Sequence, residues 1–251
     1  MRRVYATTFA IVTALALASV SAQQPPAQPP AGGGQRMGGM GMDAARKVPN
    51  GGITGAGWKG KIDAQEAGKG SSLNDSKFEA KGSEIDISTG PATIYWNTAN
   101  AQTGDYTVSA TFSEPKYMSS NSHPHPYGVF IGGNKLDTDQ ASLLYCVAYG
   151  NGTFIVRGFG PESFRVGTMG RATENAAVHK AADKGQPVTQ EVKMSVKGSR
   201  VSCSINGTEV ASVDKGEVTG AGKLDSVEGT PGIRVAHNVD VKVTNFKVEK
   251  Q

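Results

Sequence analysis

From residue 53 to the end of the 251-residue chain, short runs of alternating apolar and polar residues are separated by glycine- and asparagine-rich turns. Tyr106–Phe112 and Val192–Val196 are two of these runs. A period of two is typical of strands that bury one face. Hairpin-turn signals occur at Gly198-Ser199, at Asn206-Gly207 and at Asn151-Gly152. The pattern therefore restricts the fold to one built from short antiparallel strands.

The whole pattern predicts an all-β fold of about eleven strands, arranged as a two-sheet antiparallel β-sandwich. The apolar residues of the last strand change phase between Val243 and Phe246, which predicts a β-bulge. One short helix is predicted from Thr173 to Lys184, closed by Gly185. Further strands are expected at Phe78–Ala80, Glu84–Ile87, Thr93–Trp96, Gly128–Ile131, Leu143–Tyr149, Thr153–Arg157, Val201–Ile205, Glu209–Val213 and Gly232–Ala236.

Residues 1–22 have the features of a secretory signal peptide. Arg2 and Arg3 precede the uncharged apolar run Ala10–Val20, and small residues follow at a site suited to cleavage before Gln23. The apolar run is shorter than the ~20 residues that a membrane-spanning helix needs. We therefore expect an exported protein, periplasmic or extracellular, with no membrane span after the signal is cleaved.

Residues 23–52 are rich in proline and then in glycine, which predicts a disordered linker. Met37, Met40 and Met42 raise the alternative of a copper(I) site, because thioethers are soft ligands, but no His or Cys accompanies them. Residues 53–251 then form a single β-sandwich domain of ordinary size.

The charge of the chain argues against nucleic acid as a partner. Lys and Arg number 26 and Asp and Glu number 22, and loss of Arg2 and Arg3 with the signal would reduce the excess from four to two. So small an excess does not provide the basic surface that nucleic acid requires.

The two cysteines, Cys146 and Cys203, both lie on alternating strands. Export would permit their oxidation, and a single pair has one connectivity. Two separate buried thiols are the alternative.

Four segments resemble a group of secreted bacterial proteins. They are Gly90–Trp96, Tyr127–Gly133, Leu144–Gly152 and Gly232–Asn238. These segments are similar to those of concanavalin-A-like, laminin-G-like jelly rolls, and to the domain family named after 3-keto-disaccharide hydrolase. The resemblance covers most of residues 53–250 and implies a jelly roll. It says less about activity, because the same sandwich hosts lectins, glucanases and adhesive modules.

The usual apparatus of glycoside hydrolysis is not visible in the sequence. That chemistry needs a pair of carboxylates, which glucanases of this fold place on one strand as Glu-x-Asp-x-Glu. Glu84-Ile85-Asp86 lacks the third acid and is explained by the solvated face of an amphipathic strand. No Gly-x-Ser-x-Gly nucleophile motif is present. Whether the protein is an enzyme stays open at this stage.

The segment His123-Pro124-His125-Pro126 has two further interpretations. In an extended conformation both imidazoles could face one site and supply half of a transition-metal centre, with His179, His237 or an acid as the rest. Alternatively, the segment is a rigid loop that leads into the next strand. His237 beside Asn238 is a second polar candidate, with a satisfied buried histidine as its alternative.

Oxygen donors cluster in the turn that contains Asn134, Asp137, Asp139 and Gln140. Calcium takes six to eight such ligands, so Asp137 and Asp139 are candidates for a structural calcium site. An ordinary polar hairpin is the alternative. No other cofactor is expected.

Sugar binding requires aromatic faces together with planar polar side chains. Tyr95 and Trp96 are adjacent and must point to opposite faces of their strand, so one of them belongs to the core. The candidates for contact with a ligand are Tyr95, Trp96, Tyr117, Tyr127, Tyr149, Phe159, Asn97, Arg157 and Arg234, with His123, His125, His237 and Asn238.

Two classes of function are compatible with these features. The favoured one is a non-catalytic module that binds glycan or another cell-surface ligand, because no acid pair is visible. The other is an enzyme that acts on 3-keto-disaccharides or related sugars, as the resemblance implies. A histidine within hydrogen-bond reach of an acid, at the base of a cleft, would favour the enzyme. The sequence does not indicate an oligomeric state.

Overall fold

The structure is a computed structural model that describes residues 43–160, 162–166 and 172–251. The predicted signal peptide, the methionine cluster and most of the predicted linker lie outside the described residues. Within the described ranges, no helix is long and apolar enough to cross a membrane.

The described residues form a two-sheet β-sandwich, as predicted. Its two short helices are α1 (Ala64–Ala67) and α2 (Lys215–Val218). The strands are β1 (Gly52–Thr54), β2 (Trp58–Ile62), β3 (Lys77–Lys81), β4 (Glu84–Ser88), β5 (Thr93–Asn97), β6 (Tyr106–Glu114), β7 (Tyr127–Asn134), β8 (Ser142–Ala148), β9 (Thr153–Phe159), β10 (Ser163–Arg165), β11 (Thr173–Glu174), β12 (Val188–Lys197), β13 (Arg200–Ile205), β14 (Thr208–Asp214), β15 (Gly232–Val235) and β16 (Asp240–Lys250).

The strands divide into two sheets of eight. The first sheet has the order β1-β3-β4-β16-β6-β12-β13-β14, and the second has the order β10-β9-β8-β7-β15-β5-β2, with β11 paired to β9. Every pair is antiparallel except β1 with β3. Strand β15 lies between β5 and β7, so residues far apart in the chain become neighbours on the second sheet.

The main core fills the space between the sheets. Alternate residues of each strand face it, including fully buried Val192, Met194 and Val196. Cys146 of β8 and Cys203 of β13 are joined by a disulfide, which links the second sheet to the first. Of the two states left open by the sequence, the structure has the bonded one.

Local turn signals correctly predicted the hairpins. Gly198-Ser199 connects β12 to β13, and Asn206-Gly207 connects β13 to β14, with both Asn206 and Gly207 at positive φ. The predicted bulge in β16 is also present, as a register shift between Thr244 and Lys247. Asn151-Gly152 belongs to the longer connection between β8 and β9.

The helix predicted from Thr173 to Lys184 is wrong. Thr173 instead pairs with Phe154 of β9, and an Asx turn at Asn175 receives the backbone N–H of Ala177. Gln190 of β12 then accepts the backbone N–H of His179 and donates to its carbonyl. Tertiary hydrogen bonds thus satisfy the backbone groups that a helix would have paired internally.

Residues 43–52, which composition assigned to the linker, contact the sandwich. The guanidinium of Arg46 forms an ion pair of 2.5 Å with Asp240, and its backbone N–H donates to Asn238. Gly52–Thr54 forms β1 beside β3. The ordered domain therefore begins before the predicted boundary at Ile53, because specific tertiary contacts offset the low apolar content of this segment.

Candidate functional site

The outer face of the second sheet carries a second apolar cluster. Residues that alternate with the core-facing ones on β5, β7, β8 and β9 point away from the first sheet. Trp96, Phe130, Leu143 and Tyr145 belong to this cluster, and Phe159 packs against it. These four side chains are at most 7% exposed, so the cluster is a small second core beneath this face.

Arg234 lies in the middle of this face, on β15. Its neighbours Ile233 and Val235 face the core, so the alternation directs Arg234 outward. Its guanidinium donates two hydrogen bonds to Asp63, of 2.5 and 2.6 Å. Burial works to lower the pKa of Arg234, but the Asp63 carboxylate outweighs it and raises that pKa above its ordinary value. The pair is therefore a fixed, charged element.

Two aromatic rings lie beside the guanidinium. Its central carbon lies 5.7 Å from the ring centroid of Tyr145 and 5.8 Å from that of Phe159. The two rings are themselves 5.7 Å apart. Arg157 is the cross-strand partner of Tyr145, so a second planar cation borders the same aromatic group.

These residues line a groove of about 500 Å³. We define the groove by Asp63, Tyr145, Arg157, Phe159 and Arg234. An adjoining recess of about 320 Å³ shares Tyr145, Arg157 and Arg234 and is also lined by Tyr149. The volume and the mixture of rings with polar groups suit a ligand the size of a mono- or disaccharide.

A histidine–glutamate pair lies beside the groove. His237 Nδ1 is 2.9 Å from Glu66 Oε1, and Glu66 Oε2 accepts the backbone N–H of Ala92 at 2.6 Å. His237 Nε2 is buried and has no hydrogen-bond partner among the described residues. Both side chains line a cavity of about 420 Å³ that Asp63 and Arg234 also border. Glu66 of α1 is thus the acidic partner of His237, which the sequence analysis could not identify.

His123 and His125 face each other as their i, i+2 spacing allows. Their Nε2 atoms are 2.8 Å apart, and His125 Nδ1 lies 2.6 Å from the carbonyl oxygen of His237. Asp43 lies 3.5 Å from His123 Nδ1. Burial lowers the pKa of His125 to about 4, so this imidazole is neutral at neutral pH.

Four of the residues predicted to contact a ligand are buried in the structure. Tyr95 and Tyr127 are fully buried between the sheets, because their positions on β5 and β7 face the first sheet. Trp96 is on the outer face, but it is 2% exposed within the second cluster, where it cannot offer its ring to a ligand. Asn238 is also buried and serves the scaffold, since it holds the backbone of Ala44 and Arg46.

Both predicted calcium ligands lie beside lysines, and Asp139 also borders the groove. Asp137 forms a 2.9 Å ion pair with Lys59, and Asp139 lies 3.7 Å from Lys61. These ammonium groups already neutralise the two carboxylates. The calcium site stays a prediction that this geometry does not favour.

The sequence missed Asp63, Glu66, Tyr145 and Asp43. Asp63 immediately precedes helix α1, and Glu66 belongs to it. This helix has only four residues, too few to give a periodic signal. The signal for Tyr145 was present, since it has the opposite parity to Cys146 and so must face outward. Asp43 lay in a segment interpreted as linker.

No protein-family model matches the chain, and no curated protein matches it. Among solved structures, the carbohydrate-binding module CBM66 from Bacillus subtilis superposes with a TM-score of 0.50 at 9% identity, covering 79% of this chain and 98% of that one. A Bacillus subtilis protein of unknown function with a galectin-like fold gives 0.46 at 11% identity, covering 77% and 89%. Sheep galectin-11 gives 0.36 at 13% identity, covering 59% and 92%. At such identities the likeness to the Bacillus module shows the fold, an antiparallel β-sandwich.

Proposed function

We propose that the protein is an exported module that binds carbohydrate in the groove. The observation that carries this proposal is the placement of the Arg234–Asp63 pair beside the rings of both Tyr145 and Phe159. Apolar C–H faces of a sugar pack on aromatic rings, while planar charged groups hydrogen-bond its hydroxyls. Because Asp63 and the sheet hold Arg234 in place, little ordering entropy is lost when a ligand binds. The same fold in a carbohydrate-binding module is consistent with this role.

A glycan array tests the proposal, followed by calorimetry on each glycan that binds. We expect Phe159→Ala and Arg157→Ala to weaken binding by about tenfold or more, which corresponds to about 1.4 kcal/mol. Lys242→Ala is the matched control, because Lys242 lies on the first sheet and pairs with Glu84. The proposal fails if no glycan binds, or if the groove variants bind as well as the control.

A second candidate function is cleavage of 3-keto-disaccharides, as the family resemblance implies. The His237–Glu66 pair favours it. A carboxylate that accepts from Nδ1–H leaves the Nε2 lone pair as a base, the arrangement used in general base catalysis. Such a base could remove the proton at C2, next to the ketone. The electron pair of the broken C–H bond would then form the C1–C2 double bond and expel the glycosidic oxygen from C1, and the imidazolium would return the proton to that oxygen to give the free sugar hydroxyl. Since Nε2 is buried, a substrate must displace neighbouring atoms to reach it.

Release of free sugar from 3-keto-disaccharides distinguishes the two candidates. If the second is correct, the wild-type protein turns the substrate over and both His237→Gln and Glu66→Gln abolish turnover. His179→Gln is the control, because His179 is not part of this pair. Its ring contacts the backbone carbonyl of Thr189, and its backbone N–H donates to Gln190. Binding without turnover supports the module, and turnover that survives His237→Gln contradicts a catalytic role for this pair.

A further inference from the structure

The two facing nitrogens of His123 and His125 raise the question of which of them carries a proton. His125 Nδ1 lies 2.6 Å from a carbonyl oxygen, which can only accept, so this nitrogen carries the proton. In the neutral ring, Nε2 of His125 therefore presents a lone pair. That lone pair points at His123 Nε2, 2.8 Å away.

The surroundings of His123 give it the same tautomer. Its Nδ1 faces the Oγ of Ser122 at 3.3 Å and the carboxylate of Asp43 at 3.5 Å. The Ser122 hydroxyl donates to Asp43, at 2.9 Å from both carboxylate oxygens, so it is not available to donate to the imidazole. His123 Nδ1 is therefore also the protonated nitrogen in the neutral ring. Two lone pairs would then face each other at 2.8 Å unless a cation lies between them.

We propose that Asp43, His123 and His125 bind a divalent transition-metal ion of the zinc class. Within the described ranges, these three residues are the group whose ligand atoms all lie within 4.8 Å of one another. Two imidazoles and one carboxylate are a donor set that zinc accepts, and three protein ligands leave one tetrahedral position for water or an added ligand. This inference is independent of whether the groove binds glycan.

The hydrogen-bond partner of His125 supports the assignment. Metal-binding imidazoles normally donate their other N–H to a carbonyl or carboxylate, which orients the ring and raises its basicity. The carbonyl of His237 provides this for His125. Two nitrogens bound to one tetrahedral zinc ion lie about 3.3 Å apart, so the rings need to separate by about half an ångström. The Asp43 carboxylate, which lies 3.5 Å from His123 Nδ1, has to turn toward the Nε2 side to reach the same ion. His123 is half exposed and has room for this adjustment.

The test uses the full chain after treatment with a chelator, titrated with zinc chloride by calorimetry. We expect one equivalent to bind, and we expect His125→Ala to weaken binding by about 100-fold or more. Because His125 is buried and its variant could misfold, the surface variants His123→Ala and Asp43→Asn are measured as well. His179→Ala is the matched control, a histidine outside the group, and it should bind zinc as the wild type does.

Cobalt provides an independent measurement. Titration with cobalt(II) should give the strong visible absorption of a four-coordinate ion in the wild type and in His179→Ala, and this absorption should be lost in His123→Ala. Zinc should also raise the thermal midpoint of the wild type but not that of His123→Ala. The proposal is overturned if the chelator-treated wild type binds no zinc. In that case the cation between the two imidazoles is a proton that they share. Zinc affinity that is unchanged in both His123→Ala and Asp43→Asn overturns it equally.

Discussion

Arg234 and Asp63 are 171 residues apart in the chain, yet their side chains form two parallel hydrogen bonds on the outer face of the second sheet. Arg234 is 9% exposed, so its charge depends on this partner for compensation. The pair joins the end of β2 to β15 and separates the groove from the cavity beside His237. Its removal should therefore affect both stability and ligand binding.

We expect Asp63→Asn to destabilise the protein by about 2 kcal/mol, because it removes the charge that compensates a buried guanidinium while keeping the shape of the side chain. Urea unfolding measures this loss. The exposed pair Glu84–Lys242 is the control, and Glu84→Gln should cost less than about 1 kcal/mol. Equal losses in the two variants would mean that Arg234 does not depend on Asp63.

The disulfide between Cys146 and Cys203 closes a loop of 57 residues in sequence separation. We expect Cys146→Ala with Cys203→Ala to lower the free energy of unfolding by about 4 kcal/mol, because the unfolded chain regains the entropy that the closed loop removed. Urea unfolding with and without reductant measures the effect. The wild type should lose stability in reductant, and the double variant should not respond to it. A wild type that is insensitive to reductant would contradict the prediction.

Glu114 should make stability depend on pH. Its Oε1 accepts the backbone N–H of Met118 at 3.1 Å, and burial raises its pKa to about 7. Tyr117, Tyr127 and Asp240 are the titratable groups that act on it. In the unfolded chain its pKa returns to an ordinary value near 4.5. Between these two values the native state holds a proton that the unfolded state has lost.

The stabilisation associated with protonated Glu114 is therefore present in full below the unfolded pKa and is lost as pH rises through about 7, by up to about 3 kcal/mol. Glu114→Gln should lack this slope. The measurement is the difference in unfolding free energy between wild type and variant at about pH 5 and about pH 8. Parallel profiles for the two proteins would show that Glu114 titrates normally, and Glu84→Gln controls for a general effect of charge.

Gln190 should hold the segment that was predicted to be helical. It is fully buried, and its amide binds both backbone groups of His179 and the side chain of Asn206. Gln190→Leu leaves these groups unpaired, so we expect a loss of about 2 kcal/mol. Hydrogen exchange of the His179 amide should accelerate by more than the global destabilisation requires. Glu191→Gln, on the exposed face of the same strand, should leave that exchange rate unchanged.

Much of the fold was predictable because its signals are local. The alternation from Tyr106 to Phe112 and the asparagine–glycine turn at Asn206 act through neighbouring residues, so the sequence alone indicates the strands and hairpins. The short strands β1, β2, β10 and β11 escaped prediction, because they have only 3, 5, 3 and 2 residues and so carry too little alternation to be recognised.

The candidate site was predictable only in part. Arg157, Arg234 and Tyr149 were named from their residue types, and the structure does place them around one groove and recess. Tyr95 and Tyr127 were named for the same reason but face the core. The sequence shows which residues share a face of a strand, but it does not show which face packs into the core.

The sequence by itself determined the all-β class, the hairpin turns, the bulge in the last strand and the two outcomes open to the cysteines. The tertiary structure alone decided which partners meet: Asp63 with Arg234, Glu66 with His237, and Asp43 with His123. Each of these pairs joins a residue near the start of the ordered domain to one at least 80 positions later. Such pairs depend on strand order, because the strand order brings remote segments to one edge of the sandwich and no local pattern records it.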